Sequence, residues 1–221
     1  MDRLYGGFVR RGDLVFDVGA HVGDRVASFR RLGARVVAVE PQPALVKVLK
    51  LFHGRRAGVA IEAVAVGRAV GATSMMINAD NPTVSTASPA FISAARDAPG
   101  WDTQRWTISV QVPVTTLDAL IVKHGLPSFI KIDVEGFEAE ALQGLSRAVK
   151  ALSFEFTTIQ RDVARACIER CIALGYTRFN AALGESQAFV NADWVVGEEI
   201  ARWLMGLPHE ANSGDIYAAL V

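Results

Sequence analysis

Two acids and two glycines set out the first chemistry along this chain. Asp17 lies near the end of the apolar run Val15-Phe16-Asp17-Val18, and Gly19 and Gly23 bracket Ala20-His21-Val22. Glu40 closes a second apolar run, Val36-Val37-Ala38-Val39. Glycine has no Cβ to hold a ligand away from the backbone. An acid about twenty residues past such a turn can accept hydrogen bonds from ribose hydroxyls. Dinucleotide sites set a middle glycine beside a pyrophosphate, as G-x-G-x-x-G; here the order is Asp17-x-Gly19-x-x-x-Gly23. Asp17 would repel a pyrophosphate and suits a cationic amino-acid group. The spacing therefore points to S-adenosylmethionine, which carries an ammonium, a sulfonium and an unphosphorylated ribose. A nicotinamide dinucleotide, or a turn that holds no ligand, ranks behind it.

In that reading Asp17 holds the ammonium, directly or through water. Gly19 and Gly23 shape the turn beneath the methionine portion, and Glu40 grips the ribose diol. Ala20, His21 and Pro41 fall in the same two turns and are expected to touch the cofactor, His21 packing on the ligand rather than moving protons. Ala65 and Val66, ending an expected third strand, should line the adenine. His53, His124 and His209 read as surface histidines at helix ends or in loops.

A second concentration of acids follows in Phe129-Ile130-Lys131-Ile132-Asp133-Val134-Glu135-Gly136-Phe137-Glu138-Ala139-Glu140. Asp133 ends a buried run and should stand beside Asp17 at the carboxyl edge of the sheet, where ligands bind. It counts as a cofactor contact and as a candidate general base. Glu155, in Ser153-Phe154-Glu155-Phe156, is the other candidate, since flanking aromatics would dry its carboxyl and raise its pKa. An acid satisfied by a neighbouring arginine or backbone amides is the competing reading for Glu155. Glu138 and Glu140 fit equally well as first-turn charges favoured by the helix dipole. Asp133 and Glu155 on adjacent strands could hold Mg²⁺, but no third ligand is evident, so no metal is expected.

The elements that must position these groups are legible from apolar β-branched runs alternating with helix-period segments, a pattern of parallel sheet covered on both faces. Strands are expected near 14–18, 35–40, 60–66, 72–77, 107–115, 128–133, 151–157, 175–180 and 215–220. Helices are expected near 22–32, 42–52, 116–124, 136–149, 160–174 and 197–206. Asn78 to Arg105 is rich in Asn, Ser, Thr, Pro and Asp yet holds Phe91 and Trp101, with Trp106 just after. Connections this long are usually functional. A lid over 78–106 that brings aromatics to the substrate competes with an ordinary insertion packed on the sheet edge.

The 221 residues fit one domain, with 51% hydrophobic residues and a mean hydropathy of +0.25. With 23 basic and 23 acidic residues, no basic field is available for nucleic acid. Met1 to Gly12 has no apolar core of a secretory leader, and no apolar run approaches the roughly 18 residues that span a bilayer. Cys167 and Cys171 share one helical face at a spacing poor for a disulfide. Two reduced core cysteines in a cytoplasmic protein are expected. Trp194, Trp203 and Met205 could pack on the domain or on a partner, which leaves a homodimer open.

Taken in order, D-V-G-A-H-V-G-D (17–24), V-V-A-V-E-P (36–41), A-V-A-V-G (63–67) and I-K-I-D-V-E-G-F-E (130–138) closely resemble the FkbM family of S-adenosylmethionine-dependent methyltransferases. N-P-x-x-S-x-x-S at Asn81 to Ser88 and the stretch from Val112 to Asp118 add to the likeness, which runs from about Gly12 to Phe156. The resemblance implies a doubly wound α/β class I methyltransferase sheet of seven strands in order 3-2-1-4-5-7-6, the last-ordered strand antiparallel. It also implies methyl transfer to an oxygen, often a hydroxyl of a sugar or polyketide-like metabolite, with S-adenosylhomocysteine as product. Two features depart from the family pattern. The 78–105 connection looks long, and the first strand begins after only about a dozen residues, so part of the acceptor pocket could come from another subunit. A catalytically silent S-adenosylmethionine-binding module would lack the acids at 133 and 155. A nicotinamide oxidoreductase would need a second close glycine and a Tyr-x-x-x-Lys pair.

Overall fold

In a computed structural model describing residues 1–220, helix α1 (Asp2–Tyr5) leads into β1 (Leu14–Val18), α2 (Asp24–Arg31), β2 (Arg35–Val39), α3 (Pro43–His53) and β3 (Val59–Glu62). Three strands follow, β4 (Ala65–Val66), β5 (Gly71–Ile77) and β6 (Ile108–Thr115), with α4 (Pro89–Arg96) between the last two. The remainder is α5 (Leu117–His124), β7 (Phe129–Ile132), α6 (Glu138–Gln143), β8 (Ala151–Thr157), α7 (Arg161–Ala173), β9 (Arg178–Leu183), α8 (Gly197–Met205) and β10 (Ser213–Ala219).

Seven strands form the main sheet in the order β3-β2-β1-β7-β8-β10-β9. Numbered within this sheet alone, that is 3-2-1-4-5-7-6. β10, the last along the chain, runs antiparallel to both neighbours, β8 and β9. Every position of β1 and β7 is buried, as expected where helices cover both faces. One apolar layer joins Phe16, Val18, Ile130, Ile132 and Phe154 to side chains of α5, α6, α7 and α8. The opposite layer joins Val15, Val36, Ala38 and Phe129 to Tyr5, Val26, Phe29 and Leu49 of α1, α2 and α3. Cys167 and Cys171 are free thiols buried in the first layer. Trp194 packs edge-on to Phe8 and Phe189, and Trp203 edge-on to Phe156.

The expected strand 60–66 divides in two. β3 pairs with β2 through Glu62, after which the chain turns and Ala65-Val66 pairs with Val114-Thr115 of β6 in a separate three-stranded sheet, order β4-β6-β5. The expected helix 136–149 stops at Gln143, because the chain bends at Gly144, whose α-carbon lies against the Gly67 carbonyl. The strand expected at 175–180 lies at Arg178–Leu183.

The stretch after Asn78 is structured rather than irregular. Pro89 opens α4, and the Ser88 hydroxyl accepts from Phe91 N at 3.1 Å, a local start signal. Phe91 is buried with Trp101 and Trp106 edge-on to its ring. Trp106 Nε1 donates to Val84 O at 2.8 Å, and Thr86 bridges to Met76 of β5.

Candidate active site

A cavity of about 300 Å³ opens at the carboxyl ends of β1, β2, β7 and β8. Its floor begins where β1 stops. Gly19 N and Ala20 N both donate to Val39 O, at 2.9 and 3.0 Å, which draws the turn onto the end of β2. Gly19 has φ +84°, and a Cβ there would overlap the Asp133 carbonyl, so only glycine lets the β1 and β7 ends meet this closely. His21, at φ +49°, donates its backbone N–H to Glu40 Oε2 at 2.9 Å, and Gln42 N donates to Glu40 Oε1 at 2.8 Å. Glu40 thus ties two loops together while lining the cavity, although only 2% of it is exposed. Burial pushes its carboxyl up to about 7, against the opposing pull of the N–H groups of Gln42 and His21.

Ala20, His21, Pro41, Ala65 and Val66 also line the cavity, the last two from β4 rather than from the third strand. Asp17 and Gly23 do not line it. Side chains alternate across a strand, and Asp17 points to the α1–α3 face, beside Lys131 on the neighbouring strand. There it is fully buried, with no hydrogen-bond partner for either oxygen among the described residues. Burial pushes its carboxyl up to about 7 in spite of Arg25 and Lys131. Direct contact with an ammonium in the cavity is therefore not available to Asp17. Gly23, at φ +96°, starts α2 and has its α-carbon against the His53 imidazole and Leu49. The glycine serves helix packing, and His53 is buried, not on the surface. His124 Nε2 meets Glu62 at 2.7 Å, half-buried, and His209 lies near the surface against Pro99 O.

The far wall is acidic. One carboxylate oxygen from each of Asp133, Glu135 and Glu155 lies within 4.8 Å of the other two, and all three side chains line the cavity. The expectation of no third ligand fails at this point, since Glu135 supplies one; the three could together hold a divalent cation. Beneath them Lys131 is fully buried, its Nζ 3.2 Å from Asp133 Oδ2 and 2.6 Å from Asp215 Oδ1. Burial alone would raise Asp133, but Lys131, Arg25 and hydrogen bonds from Glu155 and Lys131 hold it below the ordinary carboxylate value. Glu155 and Glu135 are pushed well up by burial and then by the Asp133 charge. The Glu155 carboxylate thus lies within 4.8 Å of those of Asp133 and Glu135, and among the described residues no arginine pairs with it.

Glu135 is the residue the sequence reading missed. It sits at φ +54° and is followed by Gly136 at φ +83°. A left-handed non-glycine residue costs of order 1–3 kcal/mol and tends to mark functional sites. The turn is pinned from outside, with Thr86 Oγ1 donating to Glu135 O at 2.6 Å. From inside, Glu138 Oε1 accepts from Val134 N at 3.0 Å and Gly136 N at 3.2 Å. Glu138 is thus a buried brace of the turn, whereas Glu140 is a solvated partner of Arg68. An acid before a turn glycine, with a second acid three positions on, was the available signal. Thr83, Val84, Ser85 and Trp101 close the cavity from the 78–106 side, and Gln42, Arg25 and Glu185 complete its rim.

The sequence matches the model of the methyltransferase FkbM domain over residues 17–204. The chain belongs to the FkbM methyltransferase family. No curated protein matches it. Among solved structures it is similar to a TehB-like SAM-dependent methyltransferase from Corynebacterium glutamicum, with TM-score 0.48 and 13% identity, covering 100% of this chain and 86% of that one. It is also similar to Aeropyrum pernix fibrillarin with natively bound S-adenosyl-L-methionine, with TM-score 0.48 and 10% identity, over 96% of this chain and 68% of that one. A precorrin-6y C5,15-methyltransferase from Geobacter metallireducens gives TM-score 0.46 and 14% identity, over 99% and 86%.

The cofactor of this FkbM methyltransferase is S-adenosylmethionine, and the residues present fit it. The Gly19 turn, where a Cβ would collide with the Asp133 carbonyl, brings bare backbone of the β1 end to the cavity wall beside the β7 end. Glu40 offers a buried carboxylate at the tip of β2. Among the described residues no helix is long and apolar enough to cross a membrane.

Proposed function

We propose that this methyltransferase methylates a hydroxyl oxygen of a sugar or other small natural product. The observation behind the reading is the carboxylate group Asp133, Glu135 and Glu155 on the wall of the cavity that begins at the Gly19 turn. Bound S-adenosylmethionine supplies an electrophilic methyl group. A hydroxyl becomes an adequate nucleophile when a positioned base takes its proton. Glu155 is the base, its ionised carboxylate having the raised proton affinity needed to take the hydroxyl proton, and Asp133, kept ionised by Lys131, lies beside it in the same acidic wall. Glu135 completes the acidic wall that turns the hydroxyl inward. Glu40 holds the ribose diol, with Gly19, Ala20, His21, Pro41, Ala65 and Val66 around the rest of the nucleoside and methionine.

We read the whole chain as one catalytic domain in which 78–106 covers the acceptor, since Thr83, Val84 and Trp101 form one side of the cavity. Much of the rate then comes from alignment and water exclusion. A screen of sugars, macrolides and phenols with tritium-labelled S-adenosylmethionine tests the reading. Label should enter a hydroxyl acceptor with wild-type protein, and Glu155→Gln should lower kcat by about 10²–10⁴-fold. Label in nitrogen or sulfur acceptors alone would refute it.

The same three carboxylates favour a second reading, in which a divalent cation orients the acceptor. Turnover that survives EDTA removes that reading and keeps the first.

A further inference from the structure

Six carboxylates line the cavity, those of Asp24, Glu40, Asp133, Glu135, Glu155 and Glu185, against one guanidinium, Arg25. No other Lys or Arg among the described residues lines it. Arg25 stands in the first turn of α2, two residues past Gly23. Its Nη2 lies 2.9 Å from Glu185 Oε1, and its Nε is enclosed without a hydrogen-bond partner. The two members of the pair differ in fixity. The Arg25 side chain is 25% exposed, whereas Glu185, on the turn after β9, is 70% exposed. A guanidinium presents a fork of N–H groups that matches a carboxylate with two parallel bonds. Here one arm is engaged by a surface side chain and the Nε arm by nothing.

The methionine end of the cofactor is a zwitterion. Its carboxylate would meet repulsion from every charged group in this cavity except one. Glu40, at the β2 tip, fixes the ribose, which leaves the methionine end directed to the Gly19 turn and the start of α2. We propose that Arg25 receives the α-carboxylate of S-adenosylmethionine, and that Glu185 occupies Arg25 until the cofactor displaces it. An exposed ion pair contributes little to stability, so the exchange of Glu185 for an enclosed carboxylate is favourable. The ammonium of the same moiety then faces Asp133, whose charge Arg25 already feels. The inference rests on the cofactor and is independent of the acceptor.

The test compares two ligands by isothermal titration calorimetry: S-adenosylhomocysteine, and the thioether analogue in which a 3-aminopropyl group replaces the amino-acid tail and so lacks the carboxylate. Wild-type protein should bind the analogue about 10- to 100-fold more weakly. Arg25→Gln should weaken S-adenosylhomocysteine by a similar factor and leave the analogue within about twofold, while Arg25→Lys, which keeps the charge without the fork, should fall between. Glu185→Gln should tighten S-adenosylhomocysteine. Equal binding of the two ligands by wild-type protein overturns the assignment. So does an Arg25→Gln variant that loses both ligands equally while Arg25→Lys behaves as wild type towards both, because Arg25 would then act on the fold. A Glu185→Gln variant that binds S-adenosylhomocysteine more weakly overturns the exchange.

Discussion

Glu40 has its two carboxylate oxygens tied to backbone N–H groups of opposite loops, and this makes its proton a reporter of the cofactor. Burial holds its carboxyl at about 7, whereas ribose hydroxyls donate to the ionised form. Binding should therefore release a proton near neutrality, and affinity should fall as pH drops below about 7 and level off above it. Calorimetry in buffers of different ionisation enthalpy reads that proton directly. Glu40→Gln should abolish the release, and Glu40→Ala should weaken S-adenosylhomocysteine by about 1.5–3 kcal/mol. Asp17 gives a second titration with a different readout. Its folded value of about 7 lies above its ordinary 3.8, so between these values the folded chain keeps a proton that the unfolded chain has lost. Stability from this group is complete below about pH 4 and is lost as pH rises through about 7. Urea unfolding across that window should show the decline, and Asp17→Asn should flatten it. Glu40, Gly19 and Asp133 were legible as cavity residues because strand ends and turn glycines carry strong local signals. Asp17 lies off the cavity wall because spacing shows that a residue is near a strand end, not which face of the sheet it takes, and Gly23 lies off it because it starts α2 against His53 and Leu49.

Between elements, the turn from β7 into α6 is where backbone conformation and chemistry meet. Glu135 and Gly136 are left-handed in succession, and a Cβ at Gly136 would collide with the Gln160 side chain and the Phe91 ring. Gly136→Ala should cost about 2 kcal/mol or more, read as a lowered Tm together with lost turnover, because the same turn aims Glu135. The 78–106 segment makes a different prediction. Trp101 touches the cavity and meets Phe91 edge-on. Trp101→Ala should raise the acceptor KM several-fold and leave S-adenosylhomocysteine affinity unchanged; an equal loss of both would mean that the segment shapes the cofactor site instead. The α4 start was written in Ser88-Pro89, yet the composition of the stretch read as irregular because its polar residues bond within the segment, as Asn78 Oδ1 does with the N–H groups of Asp80 and Asn81. The division of 60–66 into β3 and β4 was hidden for another reason. The apolar run continues through the turn at 63–64, and partner choice in a sheet depends on strands far along the chain.

Taken whole, the molecule places a largely apolar sheet between two helical layers, with a strip of buried charge crossing its central strands. Lys131 of β7 and Asp215 of β10 meet across β8, Asp133 follows directly after β7, and Asp17 of β1 lies beside Lys131. The sheet order was expected from family likeness, whereas the charged strip follows only from register, which a single sequence does not display. Because the cavity crosses four strand ends, cofactor binding should stabilise the entire fold. At a ligand concentration of 100 times Kd the gain is about 2.7 kcal/mol, so S-adenosylhomocysteine should raise Tm by several degrees and NAD should not. The most direct single measurement is a crystal structure with S-adenosylhomocysteine bound. Ribose hydroxyls on Glu40, with the sulfur turned to Asp133, Glu135 and Glu155, are expected. A nucleoside seated elsewhere, or a sulfur facing away from those three carboxylates, would contradict the assignment of methyl transfer to this cavity.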